Sequence, residues 1–153
     1  MALEAKLKHL EILQGVINRM AGNSFLLRGW SVTLASALFA LAAKDANFKL
    51  IVLAYYPILI FWILDGYFLS QERLFRALFN KVRQLPEDQI DFSMDTREFY
   101  GGRNSWSAAA LSKTVVIFYL SVLIVMLAVA FYLRQPSPTP PPKCCIAAIA
   151  HLW

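Results

Sequence analysis

The chain has 153 residues, enough for one domain, and is 58% hydrophobic but only 16% charged. A soluble domain carries about 25% charged residues, so this composition points to a membrane protein. The net charge of +5 falls in no basic cluster of the kind nucleic acids need, and is better explained by basic loops on one side of a bilayer.

Residues 1–22 place Leu3, Leu7, Leu10, Leu13, Val16, Ile17 and Met20 at helical spacing among charged residues. This predicts an amphipathic helix that lies on the membrane or packs against other cytoplasmic helices, not a cleaved leader. Residues 24–43, "SFLLRGWSVTLASALFALAA", form the first of three apolar runs, interrupted early by Arg28. Ser31 with Ala35, and Ser36 with Ala40, are small residues four apart that let membrane helices approach closely. The second run, 50–69, contains Asp65 and Pro57. Each run has 20 residues, which as helix crosses ~30 Å of hydrocarbon.

No Gly or Pro separates Ser70 from Arg83, so the second helix is predicted to continue to Gln84 as a cytoplasmic stalk, residues 70–84. Glu72, Arg73, Phe75, Arg76, Leu78, Phe79 and Val82 lie on it, the apolar ones as a stripe that needs a covering partner, in this chain or another copy. Glu72 and Arg76 have the spacing of a helical ion pair. Pro86 ends the helix. Residues 85–103 carry too many large apolar side chains for disorder and read as an ordered loop or short hairpin. Asn104 or Ser105 is a plausible cap for residues 104–113, which are expected to start the third helix below the membrane. The third run, 114–133, is uninterrupted. The tail, 134–153, opens with five prolines in seven residues and reads as an extended spacer. Its adjacent Cys144 and Cys145 cannot staple a fold.

Orientation follows from Lys and Arg. With the N-terminus inside, eleven of these residues face the cytoplasm and four, Lys44, Lys49, Arg134 and Lys143, face outward. The expected topology is three spans, N-terminus cytoplasmic and C-terminus periplasmic. Trp30, Tyr67 and Tyr132 fall near the span ends, as interfacial aromatics do.

A carboxylate inside an apolar run must find a polar partner, protein or water. Three roles are open for Asp65: an interhelical partner of Arg28 or Lys113, an acid at a pore mouth, or a proton carrier. No triad, HExxH, CxxC or phosphate-binding glycine loop is present, so neither enzymatic chemistry nor a cofactor or metal is expected.

The segment "LDGYFLSQERLFRALFNKVR" resembles the RipA-type octameric proteins of the bacterial inner membrane. The similarity rests on Leu64, Asp65, Tyr67, Phe68, Leu69, Glu72, Arg73, Phe75, Arg76, Leu78, Phe79, Val82 and Arg83. It implies a homo-oligomer in the cytoplasmic membrane with no catalytic residues. Together these readings describe an all-α membrane protein with three transmembrane helices, an N-terminal amphipathic helix and a cytoplasmic helical stalk. The expected function is a non-enzymatic homo-oligomer of more than two chains, channel-like or membrane-perturbing. The alternative is a membrane-anchored interaction or sensing module whose cytoplasmic helices recruit a protein or small-molecule partner. The bilayer is the one other expected partner.

Overall fold

The computed structural model describes residues 2–45 and 48–134, and every regular element in them is helical. The proline-rich tail with Cys144 and Cys145 lies outside the described residues. Helix α1 spans Ala2–Asp45, α2 Phe48–Gln84, the short α3 Trp106–Ala110, and α4 Lys113–Arg134. Three 3-10 turns, at Glu87–Gln89, Arg97–Phe99 and Gly102–Asn104, carry the chain from α2 to α3. Three stretches are long and apolar enough to cross a membrane: Leu3–Ala42, Val52–Gln84 and Lys113–Tyr132.

Two of these helices are much longer than a bilayer needs. At 44 and 37 residues, α1 and α2 are ~66 and ~55 Å long, whereas α4 with 22 residues is ~33 Å. Residues 1–22 were expected as a separate helix, but α1 runs on through Ala21, Gly22 and Asn23. A single internal glycine costs only about 1 kcal/mol, and packing on both sides of Gly22 outweighs it. Helix α2 likewise continues from Ser70 through Phe75 to Gln84, accommodates Pro57, and stops before Pro86.

The two long helices pack as an antiparallel pair. Lys6 donates to the carbonyl of Leu85 at 2.7 Å near one end, and Ala35 meets Ala54 and Ile58 toward the other. Two separate apolar cores result. At the charged end, Leu13, Leu78, Val82 and Ile90 are buried together, with Phe75 and Phe79 packed against them. At the apolar end, Ala35, Ala54, Ile58, Val115, Tyr119 and Met126 form the larger core. The Phe75–Val82 stripe is thus covered within the chain, by α1 and by Ile90 of the loop. Outside the apolar core the surface stays apolar, with Phe25, Trp30, Tyr56, Tyr67, Ile124, Phe131 and Tyr132 exposed.

The loop between α2 and α3 is ordered by short-range hydrogen bonds rather than by a hairpin. Asp91 accepts from the amide of Ser93, Ser93 from that of Asp95, and Asp95 from that of Arg97. Phe92 sits at φ 54°, unusual for a bulky residue, with its ring edge-on to His9 of α1 at 5.6 Å.

The start of the third helix also departs from expectation. Ser105 caps α3 by accepting from the amide of Ala108, but the helix ends at Ala110. Leu111 and Ser112 form a turn, and α4 starts anew at Lys113. At the break α3 is fastened to α2. Trp62 Nε1 donates to the carbonyl of Ala110, the last residue of α3, at 2.9 Å. Trp106 Nε1 returns a bond to the carbonyl of Ile63 at 3.1 Å. Ser70 Oγ donates to Asn104 O at 2.6 Å, and Arg73 Nη1 to Arg103 O at 2.6 Å. Between these anchors Gly66 lets the backbones touch: a Cβ there would lie 2.6 Å from the Ala110 Cβ and 2.8 Å from its Cα.

Two outcomes are expected. Gly66→Ala gains about 1 kcal/mol of helix propensity but drives a methyl into backbone atoms, an overpacking that costs ~1–3 kcal/mol. Its thermal midpoint in detergent should fall, and adding Ala110→Gly, which removes the shorter contact, should restore part of the loss. In the loop, hydrogen bonds from Arg97 hold Asp95 down at about 2, below its ordinary 3.8. A depressed carboxylate stabilises the loop above its unfolded value and loses that contribution as pH falls through about 2. A carboxyl NMR titration should place Asp95 near 2, and Arg97→Gln should return it toward 3.8.

Candidate functional site

A polar layer separates the two cores. Its centre is Asp65, fully buried on α2. Ser24 and Arg28, four apart on α1, occupy one helical face and converge on the same carboxylate. Ser24 Oγ donates to Oδ1 in a short hydrogen bond, and Arg28 Nε–H donates to Oδ2 at 2.8 Å. The Arg28 side chain is 25% exposed while that of Asp65 is 0% exposed. The guanidinium carbon also lies 5.6 Å from the centre of the Phe118 ring on α4. One arginine therefore ties all three long helices together, by an ion pair to α2 and a cation–π contact to α4.

Two further buried hydroxyls complete the layer. Ser31 Oγ donates to the carbonyl of Arg28 at 2.8 Å, turning inward to its own helix. Ser70 fastens the segment before α3, as described above. The hydroxyl of Tyr119 is buried beside this layer and has no hydrogen-bond partner among the described residues. Its ring stacks on Trp62 with centroids 5.9 Å apart and planes 6° apart.

The structure resolves the choice of partner for Asp65 in favour of Arg28. Lys113 stands exposed at the first residue of α4 and is not among the partners of Asp65. Among the described residues the Asp65 carboxylate is fully enclosed. Of the stalk residues, Glu72 and Arg76 form the expected pair at 2.7 Å, with Arg76 exposed and Glu72 largely covered. Arg73 reaches the loop instead, and Phe75, Leu78, Phe79 and Val82 build the core at the charged end. Of the small residues on α1, Ser31 and Ala35 are buried within the chain, whereas Ser36 and Ala40 remain exposed.

Sequence reasoning passed over Ser24, Trp62, Gly66 and Tyr119. Only Ser24 left a usable signal, lying one turn from Arg28 on the face that meets the acid. Among the described residues no group of three or more His, Cys, Asp or Glu side chains could hold a metal ion. Comparison with known proteins finds no matching family model, no matching curated protein and no matching solved structure.

Chemically, the layer is a closed ion pair. Both Asp65 oxygens are occupied, and the acid has no exposed face on which a substrate could act. Removing one member of such a pair strands the other charge and costs ~3–5 kcal/mol, while replacing both by apolar residues is far less damaging. Arg28→Met, which strands the enclosed carboxylate, should lower unfolding stability in mixed micelles by that amount, and Asp65→Leu by less, because Arg28 is 25% exposed. The double variant should lose much less than the sum, and additive losses would show that the two residues do not act as a unit.

Proposed function

We propose that the chain is a non-enzymatic, self-associating protein of a bacterial cytoplasmic membrane, with the charged ends of α1 and α2 forming a helical head in the cytoplasm. The single observation that carries this reading is the outer face of α1 in that head. Leu3 and Leu7, one turn apart on that face, are 52% and 57% exposed, beside Glu4 and Glu11 and away from the apolar end that lipid would cover. Apolar side chains gathered on one helix face in water favour burial against another protein surface.

A second copy of the chain is the favoured partner. The resemblance of Leu64–Arg83 to the octameric RipA-type proteins supports a closed ring, which needs one heterologous interface repeated by rotation. The eleven-to-four distribution of Lys and Arg supports a cytoplasmic N-terminus and a periplasmic C-terminus. The enclosed Asp65 argues against a passage lined by this acid, so the assembly is better read as a scaffold than as a channel with an acidic mouth. Phe92, Met94 and Tyr100, exposed on the loop, favour a second reading in which the head also recruits a cytoplasmic protein.

The test is the mass of the assembly. Native mass spectrometry in mild detergent should find more than two chains for the wild type. Leu3→Lys with Leu7→Lys removes two leucines, each worth ~1.5–3 kcal/mol when buried, and should weaken assembly at least tenfold while helicity is kept. A wild-type chain that stays monomeric across a wide concentration range would overturn the proposal.

A further inference from the structure

A groove of about 430 Å³ runs between α1 and α4 at the apolar end of the molecule. Val32, Ser36 and Phe39 line it from α1, and Val122, Val125 and Val129 from α4. Its volume lies within the ~300–1,000 Å³ typical of small-molecule sites. Helices α1 and α4 run in the same direction here, since Arg28 meets Phe118 and both residues lie one turn before the groove begins. The guanidinium on the Phe118 ring therefore lies about one turn beyond one end of the groove, which leads from there away from the polar layer.

That guanidinium is only partly used. Nε is committed to Asp65, but neither terminal nitrogen has a hydrogen-bond partner among the described residues, and the side chain is 25% exposed. The outer edge of Arg28 presents the forked donors that match phosphate oxygens. We infer that the groove holds one glycerophospholipid, with an acyl chain between α1 and α4 and its phosphodiester on the terminal nitrogens of Arg28. The inference rests on the membrane reading above, which places the polar layer at the headgroup level of one leaflet and the groove in that leaflet's hydrocarbon.

Charge decides between a lipid and a helix from a second copy: the groove points toward the partly exposed guanidinium of Arg28, which matches a phosphodiester and has no counterpart on an apolar helix face. A single run of methylenes fits, and needs no hydrogen bonds from walls that supply almost none. The cation lies at the end where a lipid's phosphate would be, and nothing charged lines the other.

Native mass spectrometry of the whole chain, delipidated in mild detergent and then given dioleoyl-phosphatidylglycerol or phosphate-free dioleoylglycerol, tests this. The wild type should retain one phosphatidylglycerol per chain and not dioleoylglycerol at the same concentration. Val125→Trp, which fills the groove, should lower occupancy at least tenfold, whereas Ile117→Trp on the exposed face of α4 should leave it unchanged. Arg28→Lys keeps a cation for Asp65 but loses the fork, and should also lower retention. If Val125→Trp loses helicity by circular dichroism, Ser36→Phe takes its place. Equal retention in the filled and unfilled grooves, or equal binding of dioleoylglycerol, would overturn the inference. So would a change of oligomer mass with lipid occupancy unaltered, which would assign the groove to a second copy. Release of the wild type from membranes by alkaline carbonate would instead refute the membrane reading itself.

Discussion

A carboxylate with no access to solvent has to be paired, and the pairing of Asp65 governs how the rest of the chain is arranged. Apolar contacts between two long helices are non-directional, and the cores at either end of the α1–α2 pair would tolerate more than one register. The ion pair does not. A slip of one residue turns a helix by ~100° and would carry Ser24 and Arg28 off the face that reaches Asp65. A buried charge left alone in this way is costly enough to exclude the alternatives, the best-attested use of a buried polar contact. The polar layer is thus a register device first, whatever else it does.

The next residue turns the same short stretch of α2 to a second task. Asp65 faces α1, and Gly66 faces α3 closely enough that no side chain fits between them. Trp62 and Ser70, about two turns apart on α2, and Arg73, about one turn further on, bond the backbone of residues 103–110. Helix α3 stops after five residues, where Trp62 bonds its last carbonyl, and the chain re-enters as α4 with Val115 and Tyr119 already directed into the apolar core. Phe118 then lies under Arg28, which closes the loop of contacts among the three long helices. The site and the fold are consequently one object: the residues that meet around Asp65 also determine where α4 sits.

The same geometry bears on function. Asp65 accepts a hydrogen bond on each oxygen and is fully enclosed, so the surfaces the chain exposes lie away from it. The charged end of the hairpin is long enough to stand well clear of a bilayer and is stabilised by its own core, so its apolar outer face is held on a rigid rod. On the apolar side, the contact of Arg28 with Phe118 joins α1 to α4 at one end only. The two helices leave a groove beyond that contact because small or β-branched residues, Val32, Ser36, Val122 and Val125, line it where larger ones would have filled it.

Much of this was legible from residue order alone. Three apolar runs of bilayer length, the unbroken helix-forming stretch after Leu69, and the stop at Pro86 follow from local chemistry, because hydrophobic runs and proline act wherever the chain folds. The need for a partner to Asp65 was equally plain, and Arg28 was one of two candidates. Choosing between Arg28 and Lys113 was not local, since both lie at matching depth and only the packing of α1 along α2 brings one of them within reach. Nor was the fusion of residues 1–22 with the first span local, since a glycine and an asparagine at the junction are outweighed by contacts with α2. The break before α4 sits against a tryptophan some fifty residues earlier, and the role of Gly66 depends on a backbone approaching from another helix. Sequence determines which segments are helical and what they cannot leave unpaired. Tertiary structure decides which partner satisfies them, because pairing depends on register and distance, which no single segment contains.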